Sequence, residues 1–229
     1  MKTLGVVSGL GPYAANSFIQ RLLVLTDAEK EWDQFPIVAF YNTQIPSRTR
    51  SLLYDEPSPA PLMVETIKKL EQMDVDMVVV PCNSGHGWYD EVVEQIDVPW
   101  LNIIEVTSDI VKKQGIQRPL VLSAYVPYKL RLYEKYLDDV TYLKQKDRER
   151  LYGLIERLKV NADRDMVKKE LEDIISGYSD KTDGIVIACT EPSMLFNRSE
   201  HSFSGIPLVD SMHEYAEKTV ELCKEEGDG

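Results

Sequence analysis

Short apolar runs recur along the chain, and each of them ends at a polar turn. The clearest cover residues 77–80 and 184–187, where mostly β-branched side chains suit strands that are covered on both faces. Between such runs lie segments with apolar residues three and four positions apart, as in 62–70 and 166–175, and this spacing predicts amphipathic helices. Strands that alternate with helices predict parallel sheets and an α/β fold.

The apolar runs are duplicated. Segments 76–83 and 183–190 align without a gap, and each delivers a cysteine at the end of its strand, Cys82 in the first and Cys189 in the second. Two further pairs of segments match in the same order along the chain: 4–12 with 119–127, both ending Ser-x-x-x-Pro, and 98–102 with 206–210.

Three matched strands in each half predict two similar flavodoxin-like or Rossmann-like lobes, each with a parallel sheet, related by a pseudo-two-fold axis. We expect an N-terminal lobe over residues 1–112 and a C-terminal lobe over 113–210, with a helix over 211–229 that packs back on the first lobe. Ligands of open parallel sheets bind outside the carboxyl ends of the strands, so Cys82 and Cys189 should face one cleft between the lobes.

Two facing thiols suit one kind of chemistry in particular. Inversion of a stereocentre with an acidic C–H needs one group to remove the proton and a second to deliver a proton to the opposite face, and thiolate and thiol can exchange these roles. A lone cysteine after an apolar strand is usually a small core residue, and we expect this of Cys223, which has no counterpart in the repeat. The duplication of Cys82 and Cys189 favours a functional pair.

Both cysteines of the pair precede signals for the start of a helix. Asn83 and Ser84 are good capping residues, and Thr190 begins a segment with a proline in its first turn. A helix N-terminus stabilises a thiolate, so we expect these helix starts to activate the two sulfurs.

Composition narrows the class of partner. With 38 acidic residues against 26 basic ones, the formal net charge of -12 argues against binding to nucleic acid or to an anionic membrane, and it favours a small-molecule partner. No apolar run approaches the roughly 20 residues of a membrane span, and no signal-peptide core follows the first methionine, so we expect a cytoplasmic protein. Three cysteines without CxxC or a histidine cluster predict neither a disulfide framework nor a metal site.

Other candidate residues each have a functional and a structural interpretation. Arg48 lies in a polar loop after a predicted strand, where its guanidinium could hold a carboxylate bidentately or simply face solvent. His86 follows Cys82 by about one helical turn, so it could tune the thiolate or serve as a structural histidine. Gly9 and Gly11 permit a tight turn whose backbone N–H groups could face a carboxylate, although the segment is neither GxGxxG nor a P-loop.

Four motifs occur in the order Ser-Gly-Leu-Gly-Pro, Gln-Ile-Pro-Ser-Arg-Thr, Pro-Cys-Asn-Ser-Gly-His and Ala-Cys-Thr-Glu. With these motifs, nearly the whole chain resembles the cofactor-independent aspartate racemases of the aspartate/glutamate racemase superfamily. The resemblance implies a homodimer without cofactor or metal. It also implies the following roles: proton transfer by Cys82 and Cys189, binding of the α-carboxylate and amino group by Asn83, Ser84 and Thr190, and binding of the distal carboxylate by Arg48 and Lys159.

One segment departs from the pattern of that family. Residues 123–127 stand where the family has an Ala-Thr-x-Gly-Thr turn, and they put Tyr125 and Pro127 at positions of small residues and a hydroxyl. Three functions therefore stay open. They are two-base racemisation of aspartate or glutamate, another cofactor-free isomerisation of a small dicarboxylate, and binding of a small acid by a paralogue that no longer turns it over.

Overall fold

The computed structural model describes residues 1–160, 163–197 and 199–225. The chain folds into two compact units, one formed by Met1–Ile103 with the segment that begins at Tyr215, and the other by Ile104–Glu214. The end of the predicted C-terminal helix, residues 226–229, lies outside the described residues.

The first unit is built on a three-stranded parallel sheet with the order β2-β1-β3. β1 is almost entirely buried, as its β-branched residues predict. Its strands are β1 (Leu4–Ser8), β2 (Ile37–Tyr41) and β3 (Met77–Val79), and its first four α-helices are α1 (Pro12–Thr26), α2 (Arg48–Tyr54), α3 (Ala60–Glu71) and α4 (Tyr89–Val93). Two 3-10 helices, Glu31–Asp33 and Asn83–Trp88, complete this part of the chain.

Helix α5 (Ile103–Lys113) leads into the second unit, which has a five-stranded sheet with the order β5-β4-β6-β8-β7. All neighbours in this sheet are parallel except the short hairpin of β7 and β8. Its strands are β4 (Pro119–Ser123), β5 (Thr141–Tyr142), β6 (Gly184–Ala188), β7 (Ser202–Phe203) and β8 (Ile206–Asp210). Its helices are α6 (Tyr125–Lys129), α7 (Gln145–Leu158), α8 (Arg164–Ser176) and α9 (Thr190–Ser193), with a 3-10 turn at Tyr133–Lys135.

The last helix, α10 (Ser211–Lys224), joins the first unit from Tyr215 onward. The backbone N–H of Lys2 donates to the carbonyl of Cys223 at 2.9 Å, and the Lys224 ammonium donates to the carbonyl of Thr26 at 2.7 Å. Cys223 is fully buried, with its Sγ 3.8 Å from the sulfur of Met77. The prediction that Cys223 is a core residue is confirmed.

The parallel sheets and the α/β class are confirmed, but the third matched strand of the first half is not formed as predicted. Residues 98–102 make only an isolated bridge, between Trp100 and Val78. The hydroxyl of Tyr215 accounts for the interruption, because it accepts from the backbone N–H of Val80 at 3.2 Å and donates to the carbonyl of Leu101 at 2.6 Å. A side chain therefore satisfies the two backbone groups that would form the next rung of the ladder.

No helix among the described residues is both long enough and apolar enough to cross a membrane. Within the same residues, no group of three or more His, Cys, Asp or Glu side chains is arranged to hold a metal ion.

Candidate active site

Cys82 lies just beyond the carboxyl end of β3, as predicted, and is 7% exposed. Its backbone N–H donates to the carbonyl of Val80 at 2.7 Å, which turns the chain sharply at this point. The side chain belongs to the same buried cluster as Leu10, from the turn after β1, and Ile45, from the loop that precedes α2. Three separate segments of the first unit therefore contribute to the cluster that contains Cys82.

The predicted α-helix directly after Cys82 is wrong, because residues Asn83–Trp88 form a 3-10 helix and α4 begins only at Tyr89. Gly85 and Gly87 explain the difference, since glycine is about 1 kcal/mol less favourable than alanine inside an α-helix. Gly85 also packs closely, because a Cβ there would lie 3.3 Å from the side chain of Leu10. A short 3-10 segment aligns few peptide dipoles, so the predicted stabilisation of the Cys82 thiolate by a helix N-terminus is weak.

His86 holds the backbone of Cys82 rather than its thiol. Its Nδ1 lies 3.0 Å from the carbonyl oxygen of Cys82, and its Nε2 lies 3.2 Å from the backbone N–H of Ile103. A carbonyl only accepts, so Nδ1 carries the hydrogen and Nε2 accepts from Ile103. Burial lowers the pKa of His86 to about 4, and the ring is therefore neutral at physiological pH. Of the two interpretations of His86, the contacts favour the structural one.

Arg48 lies in the same unit as Cys82, at the first position of α2. Its Nη1 donates to the backbone carbonyl of Pro46 at 2.9 Å and lies 3.4 Å from that of Ile45. No carboxylate of the described residues lies within ion-pair distance of this half-buried guanidinium. Helix α2 contacts the 3-10 helix that follows Cys82, so the fold brings Arg48 to the cysteine segment.

The other two predicted residues of this half-site follow the cysteine directly. Asn83 is buried and Ser84 is half-buried, both in the first turn of the 3-10 helix. Gly9 shapes the neighbouring turn: its φ of +99° is a left-handed conformation, and a Cβ there would lie 2.6 Å from the backbone of Asn42. The first unit thus groups Arg48, Cys82, Asn83 and Ser84 near one tight strand-to-helix turn.

Cys189 occupies the matching position in the second unit, directly after β6, and is 5% exposed. Its Sγ lies 3.1 Å from Oε2 of Glu191, so the thiol donates to a carboxylate that is itself 6% exposed. The hydroxyl of Thr190 lies 3.5 Å from the same oxygen. The S–H of Cys189 and the buried carboxylate of Glu191 therefore form one hydrogen-bonded pair.

Hydrogen bonds to Asp210, at the end of β8, hold the turn that carries Glu191. The hydroxyl of Ser193, at the end of α9, donates to Oδ1 of Asp210 at 2.5 Å, and the same oxygen accepts from the backbone N–H of Met212 at 3.0 Å. Helix α9 is only four residues long, so it adds little dipole to its N-terminus. The negative charge of Glu191, 3.1 Å from the sulfur, therefore has a larger electrostatic effect on Cys189 than the dipole of α9.

Lys159 directly follows the last residue of α7, which packs against α9. Its ammonium lies 2.6 Å from Oε1 of Glu156. Burial alone would lower the pKa of Lys159, but the hydrogen bond to Glu156 and the negative charges of Glu191 and Glu156 together raise it. The second unit therefore brings Lys159 into the electrostatic environment of Cys189 and Thr190.

Tyr125, the residue that departs from the family pattern, begins α6 at the carboxyl end of β4. Its ring meets that of Tyr152 edge to face, with centroids 6.3 Å apart. Burial raises the pKa of Tyr152 by more than the nearby charge of Arg148 lowers it, and Tyr125 and Cys189 are among the groups that interact with Tyr152 electrostatically. The Oη of Tyr152 is buried, and it has no hydrogen-bond partner among the described residues. The two rings therefore lie on the side of the second sheet that carries Cys189.

Two further candidates are serines to which the sequence assigns no function. Ser8 ends β1 and Ser123 ends β4, both are buried, and neither hydroxyl has a hydrogen-bond partner in the described part of the chain. Ser123 pairs in register with Ala188, the residue before Cys189. Continuing the register of β1 and β3 by two residues sets Ser8 beside Pro81, the residue before Cys82. The repeated Ser-x-x-x-Pro was the signal that could have found them.

Comparisons with known proteins agree on one family. Residues 7–219 match the family model described as Asp/Glu/Hydantoin racemase. The broad specificity amino-acid racemase RacX of Bacillus subtilis (strain 168) is 26% identical over 226 residues, which cover 95% of this chain and 96% of that protein.

Solved structures with the same fold include an aspartate racemase from Picrophilus torridus. It is 27% identical, with a TM-score of 0.86 over 99% of this chain and 96% of that one. An aspartate racemase homologue from Pyrococcus horikoshii OT3 matches with a TM-score of 0.75 over 98% of this chain and 100% of that one. At 18% identity it supports the fold alone.

Proposed function

The chain belongs to the Asp/Glu/hydantoin racemase family and is an amino-acid racemase, and on that premise we propose that it racemises aspartate or glutamate by two-cysteine proton transfer at Cα. The observation that carries the proposal is the repeat. Two buried thiols, Cys82 and Cys189, follow matching strands of two similar units, and each has polar candidate substrate-binding residues beside it.

The proposed reaction needs one thiolate and one thiol. The Cys82 thiolate takes the proton from Cα, so that an S–H bond forms as the C–H bond breaks and the electron pair moves into the α-carboxylate. The S–H of Cys189 then delivers its proton to the opposite face, which gives the enantiomer and leaves a thiolate beside Glu191. Exchange with solvent restores the resting state. The reverse reaction uses the same groups with the roles exchanged.

The contacts of Cys189 support this assignment of resting states. The thiol donates to Glu191, and a negative carboxylate 3.1 Å from the sulfur favours the protonated form. The Cys82 half-site has a cation, Arg48, and a neutral imidazole, His86. We therefore assign the resting thiolate to Cys82 and the resting proton donor to Cys189.

Substrate binding is assigned by charge and by hydrogen-bonding capacity. Arg48 is half-buried, and among the described residues its guanidinium has only backbone carbonyls as hydrogen-bond partners, so a substrate carboxylate could accept its remaining N–H groups. Lys159 is proposed to hold the distal carboxylate with it, after exchanging its contact with Glu156. Asn83, Ser84 and Thr190 are proposed to hold the α-carboxylate and the amino group.

We include the buried hydroxyls of Ser8 and Ser123 among the proposed ligand-binding groups. A buried hydroxyl without a partner costs about 1–3 kcal/mol, and a substrate or an ordered water that accepts its hydrogen bond would remove that cost. We propose that each serine donates toward the ligand near the cysteine of its own unit. Proton transfer between thiols needs no organic cofactor or metal, and we propose that the enzyme uses neither and functions as a homodimer.

The test is to incubate the purified protein with each enantiomer of aspartate and glutamate in deuterated water, with no added cofactor. Optical rotation reports racemisation, and the loss of the Cα proton signal in NMR spectra reports exchange. We expect rotation to decay with incorporation of deuterium for at least one of the two amino acids. No exchange with either of them would contradict the proposed substrates, and activity that depends on added pyridoxal phosphate would contradict the mechanism.

A further inference from the structure

The second unit contains a cavity of about 490 Å³ that the racemase chemistry does not account for. It lies at the carboxyl ends of β4 and β5, where Tyr125 follows β4 and Tyr142 ends β5. In parallel sheets this is the edge at which ligands bind. Cys189 lies at the end of β6, the neighbour of β4 on its other side, and does not line the cavity.

The cavity is basic in a strongly acidic protein. Lys129, Arg131 and Arg148 line it, against a single carboxylate, Glu134, which accepts a hydrogen bond from the hydroxyl of Tyr142 at 2.7 Å. The whole chain has a formal net charge of -12, so a group of three cations around one acid is unusual in it.

Within the described part of the chain, these three cations also lack the ion pairs that some other cations of the second unit make. Arg150, Arg157 and Lys168 each lie within 2.8 Å of a carboxylate oxygen. Among the described residues, Lys129 and Arg131 have no carboxylate within ion-pair distance. Arg148 donates to the carbonyl of Leu143 at 3.0 Å and covers a ring rather than an acid. An anion bound from solution would give these three cations a negatively charged partner.

Aromatic rings form the rest of the wall. The guanidinium of Arg148 lies 3.9 Å from the centroid of the Tyr128 ring, and that ring meets Tyr142 edge to face at 5.2 Å. Tyr125 adds a further ring at the side nearest β4. Rings and a stacked guanidinium bind planar groups through their faces and edges. The volume also lies in the range of about 300–1,000 Å³ that is typical of sites for drug-sized ligands.

From this arrangement we infer a second ligand site, separate from the two cysteines, for a small organic anion that carries a planar ring. The cations bind the anionic head, and the tyrosines bind the ring. A nucleotide phosphate and an aromatic carboxylate share this chemistry. The site does not depend on the racemase mechanism, so it survives if the proposed substrates are wrong.

Calorimetric titration of the whole protein tests the site. The probes are AMP and phenylacetate, each matched with a neutral relative, adenosine or phenylacetamide, and with a ringless anion, inorganic phosphate or acetate. We expect saturable binding of at least one of the two ring-bearing anions and weaker binding of its matched controls. Lys129→Gln combined with Arg131→Gln should weaken that binding by about tenfold or more.

A matched variant controls for net charge. Lys112→Gln with Lys113→Gln removes the same charge from exposed positions of α5 and should leave the dissociation constant unchanged. The Cys82→Ser, Cys189→Ser double variant should also bind the probe normally. The inference is overturned if neither ring-bearing anion binds, if the neutral relatives or ringless anions bind as tightly, if the Lys129, Arg131 variant is unaffected, or if aspartate displaces the probe.

Discussion

The two cysteine half-sites share a backbone plan and differ in their electrostatics. Each cysteine follows a buried parallel strand and precedes a short helical segment, and each strand lies beside another that ends in a buried serine. On the Cys82 side, the neutral His86 donates to the carbonyl of Cys82 and the Arg48 cation lies in the same unit, whereas Cys189 donates its thiol proton to the carboxylate of Glu191. Duplication has kept the placement of the sulfurs, while their partners have diverged.

We propose that this difference gives the two thiols unequal resting states. A racemase needs one base and one acid at the start of each turnover. The carboxylate of Glu191 beside Cys189 favours the protonated form of that thiol. Substitutions in each half-site should remove or weaken this asymmetry.

Removal of either sulfur should have the largest effect. Cys82→Ser and Cys189→Ser each replace a proton-transfer group by a far weaker acid, so kcat/KM for racemisation should fall by about 10²- to 10⁴-fold in each. Cys223→Ala is the matched control, because Cys223 is equally buried but packs against Met77 in the core. Chiral chromatography of the products measures all three. Full activity in either serine variant would refute the paired assignment.

Loss of the two parallel N–H donors of the Arg48 guanidinium should have the next largest effect on catalysis. Arg48→Lys keeps the charge but loses bidentate geometry, so KM for the dicarboxylic substrate should rise by about 10- to 100-fold with a smaller change in kcat. Arg50→Lys is the control in the same helix, because the Arg50 guanidinium already pairs with Glu56. Equal effects of the two substitutions on KM would show that Arg48 does not hold the substrate.

Neutralisation of Glu191 tests the asymmetry itself. Glu191→Gln keeps the shape but removes the charge beside Cys189, so the sulfur should ionise at lower pH and react faster with iodoacetamide, by about tenfold at a pH below its midpoint. The rate is measured by mass spectrometry in a Cys82→Ser, Cys223→Ala background. Glu156→Gln is the control, since Glu156 contacts Lys159 rather than the thiol. An unchanged alkylation profile would mean that Glu191 does not set the state of Cys189.

On the Cys82 side, stability should depend on the proton of His86. Burial lowers the pKa of His86 to about 4 in the folded protein, against about 6.5 in an unfolded chain, so the unfolded state binds more protons between these values. The free energy of unfolding should therefore fall as pH drops from 6.5 toward 4, by about 1 kcal/mol for each pH unit once below 6.5, and this contribution should level off below 4.

Urea unfolding at a series of pH values measures this dependence. His86→Gln should flatten the slope between pH 6.5 and 4, whatever its effect on stability at neutral pH. His201→Gln, at an exposed position, should leave the slope as it is in the parent protein. A slope that is identical in all three proteins would remove His86 as its source.

The sequence predicts the parts of the fold that depend on local periodicity. The strands before Cys82 and Cys189, the helices α3 and α8, and the parallel sheets follow from apolar runs and from three- and four-residue spacing, and they are confirmed. The prediction fails where side chains from distant segments compete with backbone pairing. The hydroxyl of Tyr215 takes the backbone N–H of Val80 and the carbonyl of Leu101, which interrupts the strand predicted at 98–102.

The candidate site is predicted less completely. Repetition alone singles out the two cysteines, but the contact of Glu191 with the Cys189 thiol depends on a side-chain orientation that no spacing encodes. The repeated Ser-x-x-x-Pro marks Ser8 and Ser123, but it does not predict that their hydroxyls lack a partner, because that is a property of the folded surroundings. The roles assigned to Asn83, Ser84, Thr190 and Lys159 stay predictions.

Single-cysteine variants in deuterated water test the central claim most directly. With the L and D enantiomers of the substrate supplied separately, Cys189→Ser should exchange the Cα proton of one enantiomer only, and Cys82→Ser that of the other, while racemisation is slowed by about 10²- to 10⁴-fold in both. Each remaining thiol would then serve one face of the substrate. Exchange of the same enantiomer by both variants, or racemisation at the parent rate by either, would contradict the account.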